Sequence, residues 1–120
     1  MTHLFWTSCN KAYALPLSAV LEVADFETLC RVPRAPPAIH GVTNLHGRVV
    51  TVVDLGPLVG AAPRTAGAGD KLIVLARGAG DLALCVSAQV ELSELPGSAD
   101  VTVLDPERLE ELMVALVPNP

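Results

Sequence analysis

Short runs of apolar residues, each bounded by turn-forming residues, recur along the chain and predict a protein made mostly of β-strands. The first runs cover residues 4–8, 13–17 and 20–25, and a further extended piece covers residues 29–32. Their lengths and their Gly, Pro, Asn or Asp boundaries are typical of strands. The proline-rich residues 33–37 then exclude a helix or a central strand, because proline fixes φ and lacks an N–H donor.

The densest strand signal lies in the middle of the chain. Residues 39–44 and 48–55 flank a tight turn at residues 45–47. The second run carries β-branched residues on both faces, which predicts a strand buried on two sides or the wall of a small barrel. The residues that carry this signal are Val49, Val50, Val52 and Val53. Residues 55–59 then predict a helical turn that ends at Gly60.

The next part of the chain predicts a loop followed by a β-hairpin. Residues 61–71 are rich in Ala, Gly and Pro, and we expect them to form a flexible loop. Residues 72–75 and 82–86 flank a glycine-containing turn, as in hairpins. Further strands are expected at residues 90–95 and 101–104.

One helix is predicted, at residues 106–117. Asp105 has a side chain suited to capping a helix N-terminus, and Pro106 fits the first helical position. Apolar residues then follow at spacings of three and four, which gives the helix one apolar face. These residues are Leu109, Leu112, Met113 and Leu116. We expect this face to pack on the core of the domain itself.

Composition indicates a single folded domain over residues 1–120. Apolar residues make up 51% of the chain and charged residues 18%, which excludes an intrinsically disordered protein. The net charge is −5 and aromatic residues are 3%, so no nucleic-acid contact is expected. No apolar run is long enough to cross a bilayer, so no direct membrane insertion is expected.

The sequence contains no recognisable catalytic or metal-binding constellation. His3, His40 and His46 lack the spacing of metal ligands, and no serine lies in a nucleophile motif. The three cysteines include no C-x-x-C pair, which favours reduced thiols in a cytoplasmic protein. We therefore expect a binding protein and not an enzyme, with no catalytic residues, no cofactor and no metal.

Residues 41–55, GVTNLHGRVVTVVDL, resemble the signature of the CheW family. The family pattern there is G-V-x-N-L-R-G, a few apolar residues, Pro, and then an apolar pair followed by D-L. Residues 13–23 resemble the family's upstream strand and its V-x-E-[VI] element. Residues 84–92 and 103–109 resemble later family elements, so the resemblance covers nearly the whole chain.

This resemblance implies a mostly β fold of two small SH3-like β-barrels that share a core, with a C-terminal α-helix. It implies a non-enzymatic adaptor of a bacterial chemosensory signalling array, cytoplasmic and associated with receptors. The adaptor would bind the cytoplasmic tip of a methyl-accepting chemoreceptor, which is a helical hairpin. A CheA-like histidine kinase and another CheW-like protein are further candidate partners.

The resemblance also assigns roles to particular residues. Partner-binding positions of the family carry over to Val20, Glu22, Gly41 and His46. Val20 would offer an apolar contact, Glu22 an anion at the rim, and Gly41 a close backbone approach. Core packing and turn geometry are equally good explanations for Val20 and Gly41.

Three further residues of the signature are expected to shape the backbone. Asn44 and Gly47 suit the turn between the two strands, and Asp54 suits the cap of the turn that follows.

The chain also departs from the family pattern. His46 stands where the family has Arg, Thr51 where it has Pro, and Gly56 where an Arg usually follows D-L. The stretch between residues 92 and 101 is short, so we expect the second barrel to be shortened. These differences predict weakened or lost coupling to the kinase, as in the short CheW-type protein of the frizzy gliding-reversal pathway.

The sequence is also compatible with two other functions. The chain could be a conventional coupler that bridges receptor and kinase, or an assembly protein that pairs through an open sheet edge.

Overall fold

Nine strands and two helices make up the part of the chain that the structure describes. The structure is a computed structural model that describes residues 2–8, 11–76, 81–86, 90–94 and 101–116. In chain order the elements are β1 (Thr2–Ser8), β2 (Lys11–Pro16), β3 (Val20–Asp25), β4 (Ile39–Leu45), β5 (Arg48–Asp54), α1 (Leu55–Leu58), β6 (Lys71–Leu75), β7 (Leu82–Val86), β8 (Glu91–Glu94), β9 (Val101–Val103) and α2 (Pro106–Leu116). The prediction of a mostly β protein with a C-terminal helix is confirmed.

The first sheet has four strands in the order β8-β1-β2-β9. β1 pairs antiparallel with both β2 and β8, whereas β9 runs parallel to β2. The edge strands are short, with four residues in β8 and three in β9. Residues 95–100, which include the end of the strand predicted at 90–95, lie outside the described part of the chain.

The second sheet has five strands in the order β3-β6-β7-β5-β4. β5 and β7 are parallel, and the other neighbours are antiparallel. β4 and β5 form the predicted central hairpin. β6 and β7 are also paired with each other, as predicted for the second hairpin. Leu17, predicted as the end of a strand, instead lies in a 3-10 turn at Leu17–Ala19, because the chain leaves the first sheet there and enters the second.

One buried apolar cluster, the shared core, contains residues from both sheets and from α2. Leu15 from the first sheet, Ile73 and Leu84 from the second, and Leu109 and Met113 from α2 belong to the same buried cluster. The two sheets therefore share a core, as predicted for the two small barrels, and α2 packs its apolar face against that core. Asp105 caps α2, because its Oδ1 accepts a hydrogen bond of 3.1 Å from Glu107 N.

The second sheet is buried on both faces at its centre. Val53 points into the shared core, whereas Val50 and Val52 pack with Leu72 and Val74 in a second cluster on the other face. The sequence predicted that β5 is buried on both faces. This prediction is correct at the centre of the sheet but wrong for Val49, which is 63% exposed. Val49 precedes Thr51, the residue at which pairing with β7 begins, so no neighbouring strand covers it on that side.

No helix within the described ranges is long and apolar enough to span a membrane.

Candidate partner-binding surface

The turn between β4 and β5 has a fixed shape set by its own side chains. Asn44 Oδ1 accepts a hydrogen bond of 2.9 Å from Gly47 N, three residues further along, and this bond closes the turn. His46 and Gly47 both have positive φ, at 55° and 82°. A left-handed conformation is uncommon for histidine, and here it is followed by a glycine that adopts it without strain. The turn leaves the His46 side chain 78% exposed.

His46 meets Glu22 at the seam where the second sheet closes on itself. Its Nε2 lies 3.2 Å from Glu22 Oε2. Glu22 belongs to β3, at one edge of the sheet, and the β4–β5 turn lies at the other edge. β3 contains a register shift between Val20 and Glu22, and such bulges bend a strand. The sheet is therefore curled into a barrel-like shape, and two of the predicted site residues lie together.

Val20 lies beside an open apolar groove of about 330 Å³ between the two sheets. Val20 itself is half-buried and packs against the shared core. The groove is lined from the first sheet by β1 and β8 and from the second by the start of β3. Its lining residues include Leu4, Leu17, Val20, Leu21, Val23 and Leu92, with Glu22 and Glu91 as its carboxylates. Leu21 is 52% exposed and Leu92 is 59% exposed.

Leu21 and Leu92 are groove residues that the sequence reasoning missed. A signal for Leu21 was present, because Leu21 lies between two predicted partner-binding residues, Val20 and Glu22. The signal for Leu92 was weaker, because it is one leucine between acidic and polar residues. In the structure it lies in β8, where all four residues are exposed.

Gly41 has a different position from the other three predicted partner-binding residues. It is buried in β4 with φ 147°, and a Cβ there would lie 2.4 Å from the backbone oxygen of Cys30. Cys30 and Val42 exchange two backbone hydrogen bonds of 2.8 Å at this point. Gly41 thus permits a close approach between two backbone segments, and its side-chain position offers no surface to a partner.

Asp54 is a buried carboxylate that ties a loop to the end of β5. Its Oδ1 accepts from Gly56 N at 3.1 Å, and its Oδ2 accepts from Arg64 N at 2.8 Å. Arg64 in turn pairs with the buried Asp70 at 3.0 Å, and Asp70 also accepts from Gly67 N. The residues between Ala61 and Asp70 have no helix or strand, and these hydrogen bonds hold them in place.

Cys85, Cys30 and His40 lie in different environments. Burial, together with the Asp70 carboxylate, raises the pKa of the Cys85 thiol to about 12. Cys30 is exposed and not disulfide-bonded. Burial also lowers the pKa of His40 below its ordinary value. Within the described ranges, no three His, Cys, Asp or Glu side chains lie close enough together to hold a metal ion.

The curled sheet and the core shared by the two sheets define a small β domain with an exposed apolar groove. A family model described as CheW-like domain matches residues 4–99. The chain therefore belongs to the CheW-like domain family, as the signature at residues 41–55 indicated, and members of this family are non-enzymatic adaptors.

Individual relatives agree with this assignment. The chain is 35% identical over 52 residues to the chemotaxis protein CheW of Klebsiella aerogenes, covering 43% of this chain and 31% of that protein. The fold matches the crystal structure of scaffolding protein TtCheW from Thermoanaerobacter tengcongensis with a TM-score of 0.69 and 23% identity. That match covers 80% of this chain and 62% of the other. The chain thus spans less than two thirds of the length of either relative.

Proposed function

We propose that this chain is a cytoplasmic adaptor of a bacterial chemosensory array that binds the cytoplasmic tip of a chemoreceptor. The observation that carries the proposal is the apolar groove between the two sheets, which includes Val20 and Glu22. Both are positions at which the family resemblance implies partner contacts. Membership of the CheW-like family and the similarity to a chemotaxis protein support the same interpretation.

The shape and chemistry of the groove suit a helical partner. Amphipathic helices bind by placing apolar side chains in a groove of this kind. Leu21 and Leu92 line the same groove and are both more than half exposed, and an exposed apolar patch of this kind is typical of a partner-binding surface. Glu22 and Glu91 line the same groove, so the matching helix would carry a Lys or Arg beside its apolar anchors.

We further propose that coupling to a histidine kinase is weakened in this chain. The family Arg would give Glu22 a permanently charged, forked partner, whereas an imidazole has neither a permanent charge nor a fork of donors. The Glu22–His46 contact of 3.2 Å is thus a weaker pair on an exposed surface than an Arg–Glu pair would be. A kinase surface that is complementary to an Arg–Glu pair would therefore be less complementary to this pair.

Self-assembly through a sheet edge has less support. β8 is an edge strand whose four residues include Glu91 and Glu94, and charged residues on an edge disfavour pairing with another chain. Placement in a gliding pathway stays a prediction.

The role of the groove in receptor binding can be tested by making the same substitution, leucine to aspartate, at two positions. We would titrate the purified chain against a chemoreceptor signalling-tip fragment by calorimetry, using Leu21→Asp and Leu92→Asp. Each should weaken binding by at least about tenfold, since a charge would enter an apolar contact. Val114→Asp is the matched control, because Val114 is 54% exposed on α2 and lies outside the groove. It should bind like the wild type.

Each outcome decides between the candidate functions. Unchanged binding by the folded groove variants would exclude the groove as the receptor surface. A parallel titration with the kinase regulatory domain should give much weaker binding than the receptor tip does. Equal binding to both would make the chain a conventional coupler. A concentration-dependent dimer mass in sedimentation would instead favour the assembly protein.

A further inference from the structure

A second pocket, separate from the groove, lies between the proline-rich segment and the loop that follows α1. Its volume is about 280 Å³. Arg31, His40 and Arg64 contribute polar groups, and Val32, Pro36 and Ile39 are among its apolar lining residues. None of these residues lines the groove that contains Val20 and Glu22.

The walls of this pocket are fixed by hydrogen bonds within the chain itself. On one side, Cys30 N donates to Val42 O at 2.8 Å and Ile39 N donates to Pro36 O at 2.9 Å. On the other, Arg64 N donates to Asp54 Oδ2. A pocket held in this way requires little ordering when a ligand binds, which favours affinity.

The charged side chains that line the pocket are cationic, and the Asp54 and Asp70 carboxylates act on His40 from behind the lining. Both charged lining residues are arginines, and no carboxylate lines the pocket. Arg64 is already paired with Asp70, which lies buried beneath the loop. Arg31 is exposed, and its guanidinium has no hydrogen-bond or ion-pair partner among the described residues.

His40 supplies a second unsatisfied group. Its Nε2 is buried and has no hydrogen-bond partner within the described part of the chain. A buried polar atom without a partner destabilises the folded state, and a ligand oxygen that accepts a hydrogen bond from the imidazole would remove that cost. Arg31 thus offers a cation, and His40 in its Nε2–H tautomer offers a donor, to the same small space.

We propose that this pocket binds a small amphipathic anion, with a carboxylate or phosphate group at Arg31 and His40 and an apolar body against Val32, Pro36 and Ile39. The volume is at the lower end for small-molecule sites, which limits the ligand to about the size of one substituted ring. The pocket combines apolar side chains with a few polar groups, as small-molecule sites do. The proposal does not depend on the adaptor function, because the two surfaces share no residue.

The test uses three ring compounds that differ in charge. Benzoate, phenyl phosphate and the neutral benzamide would be titrated into the isotopically labelled full chain at constant ionic strength, with backbone amide signals as the readout. We expect saturable shifts at residues 31–40 and 64–66 with benzoate, phenyl phosphate or both. Benzamide should bind at least about tenfold more weakly, because it cannot form charge-assisted hydrogen bonds. The tighter of the two anions identifies the preferred acidic group.

Arg31→Gln and Arg34→Gln form a matched pair of variants. Both arginines are exposed, but only Arg31 lines the pocket. Arg31→Gln should weaken anion binding about tenfold, and Arg34→Gln should leave it unchanged. Equal binding of benzamide and benzoate, equal effects of the two variants, or the absence of saturable shifts at these residues would each overturn the proposal.

Discussion

Glu22 and His46 come from opposite edges of one five-stranded sheet, yet Glu22 Oε2 and His46 Nε2 lie 3.2 Å apart. They are separated by 24 positions in the sequence. They meet because the sheet twists and curls, and the register shift in β3 beside Val20 adds to the bend. The seam of the curled sheet thus places a polar pair next to the apolar groove.

Replacing His46 by Arg should restore the charge that the family pattern has at this position. His46→Arg would pair with Glu22 through a permanent, forked cation, which forms stronger hydrogen bonds than a neutral imidazole. We expect the variant to bind the kinase regulatory domain about fivefold to tenfold more tightly. Calorimetry measures this change, with His46→Gln as the neutral control. A gain of the same size with Gln would show that charge at this position has no role.

Gly41→Ala should destabilise the domain by about 3 kcal/mol, because the new Cβ meets a backbone oxygen at a positive φ. Gly67→Ala is the matched control, since a Cβ there has no atom within 4 Å and its φ is not positive. Urea unfolding measures both. If Gly41→Ala were as stable as the wild type, the close approach to Cys30 would have no energetic role, and Gly41 would return as a candidate surface residue.

Asp54→Ala should also lower the free energy of unfolding by about 3 kcal/mol, since two backbone N–H groups lose a charged acceptor. Asp54→Asn keeps one acceptor oxygen, so its loss should be roughly half as large. Amide exchange at Gly56 and Arg64 would identify which bond remains. A wild-type exchange rate at Arg64 in the alanine variant would contradict the role of Asp54 in holding the loop.

The Cys85 thiol should make the domain less stable at high pH. Its pKa of about 12 in the folded protein exceeds that of an unfolded cysteine, about 8.5. The folded state therefore keeps a proton that the unfolded state releases. Its contribution to stability is fully present below about pH 8.5 and is lost as pH rises toward about 12. Urea midpoints measured from about pH 8 to about pH 10.5 should fall less steeply for Cys85→Ala than for the wild type.

Alkylation provides an independent check on the same residue. In a Cys9→Ser background at about pH 8, iodoacetamide should modify the exposed Cys30 well before the buried Cys85. Peptide mass analysis assigns the modified thiol. Simultaneous modification of both residues under native conditions would show that Cys85 is more accessible than its burial indicates.

Much of the local structure was readable from the sequence. The short apolar runs bounded by turn-forming residues predicted most strands, and Asp105 followed by Pro106 predicted the start of α2 because both act within one helical turn. The signature at residues 41–55 was sufficient by itself to indicate the family. Such signals are local, since capping, turn formation and alternation involve residues a few positions apart.

The surroundings of Gly41 and the set of residues that line the groove could not be predicted from such local signals. The signature placed Gly41 among partner-binding residues, but its surroundings depend on Cys30, which approaches from another segment. Leu21 and Leu92 share a groove only because β3 and β8 belong to different sheets that meet across the core. The sequence by itself determined the strands, the capped helix and the family. The tertiary structure alone decided which side chains share a surface, because curling of the sheet brings together residues whose separation no periodicity encodes.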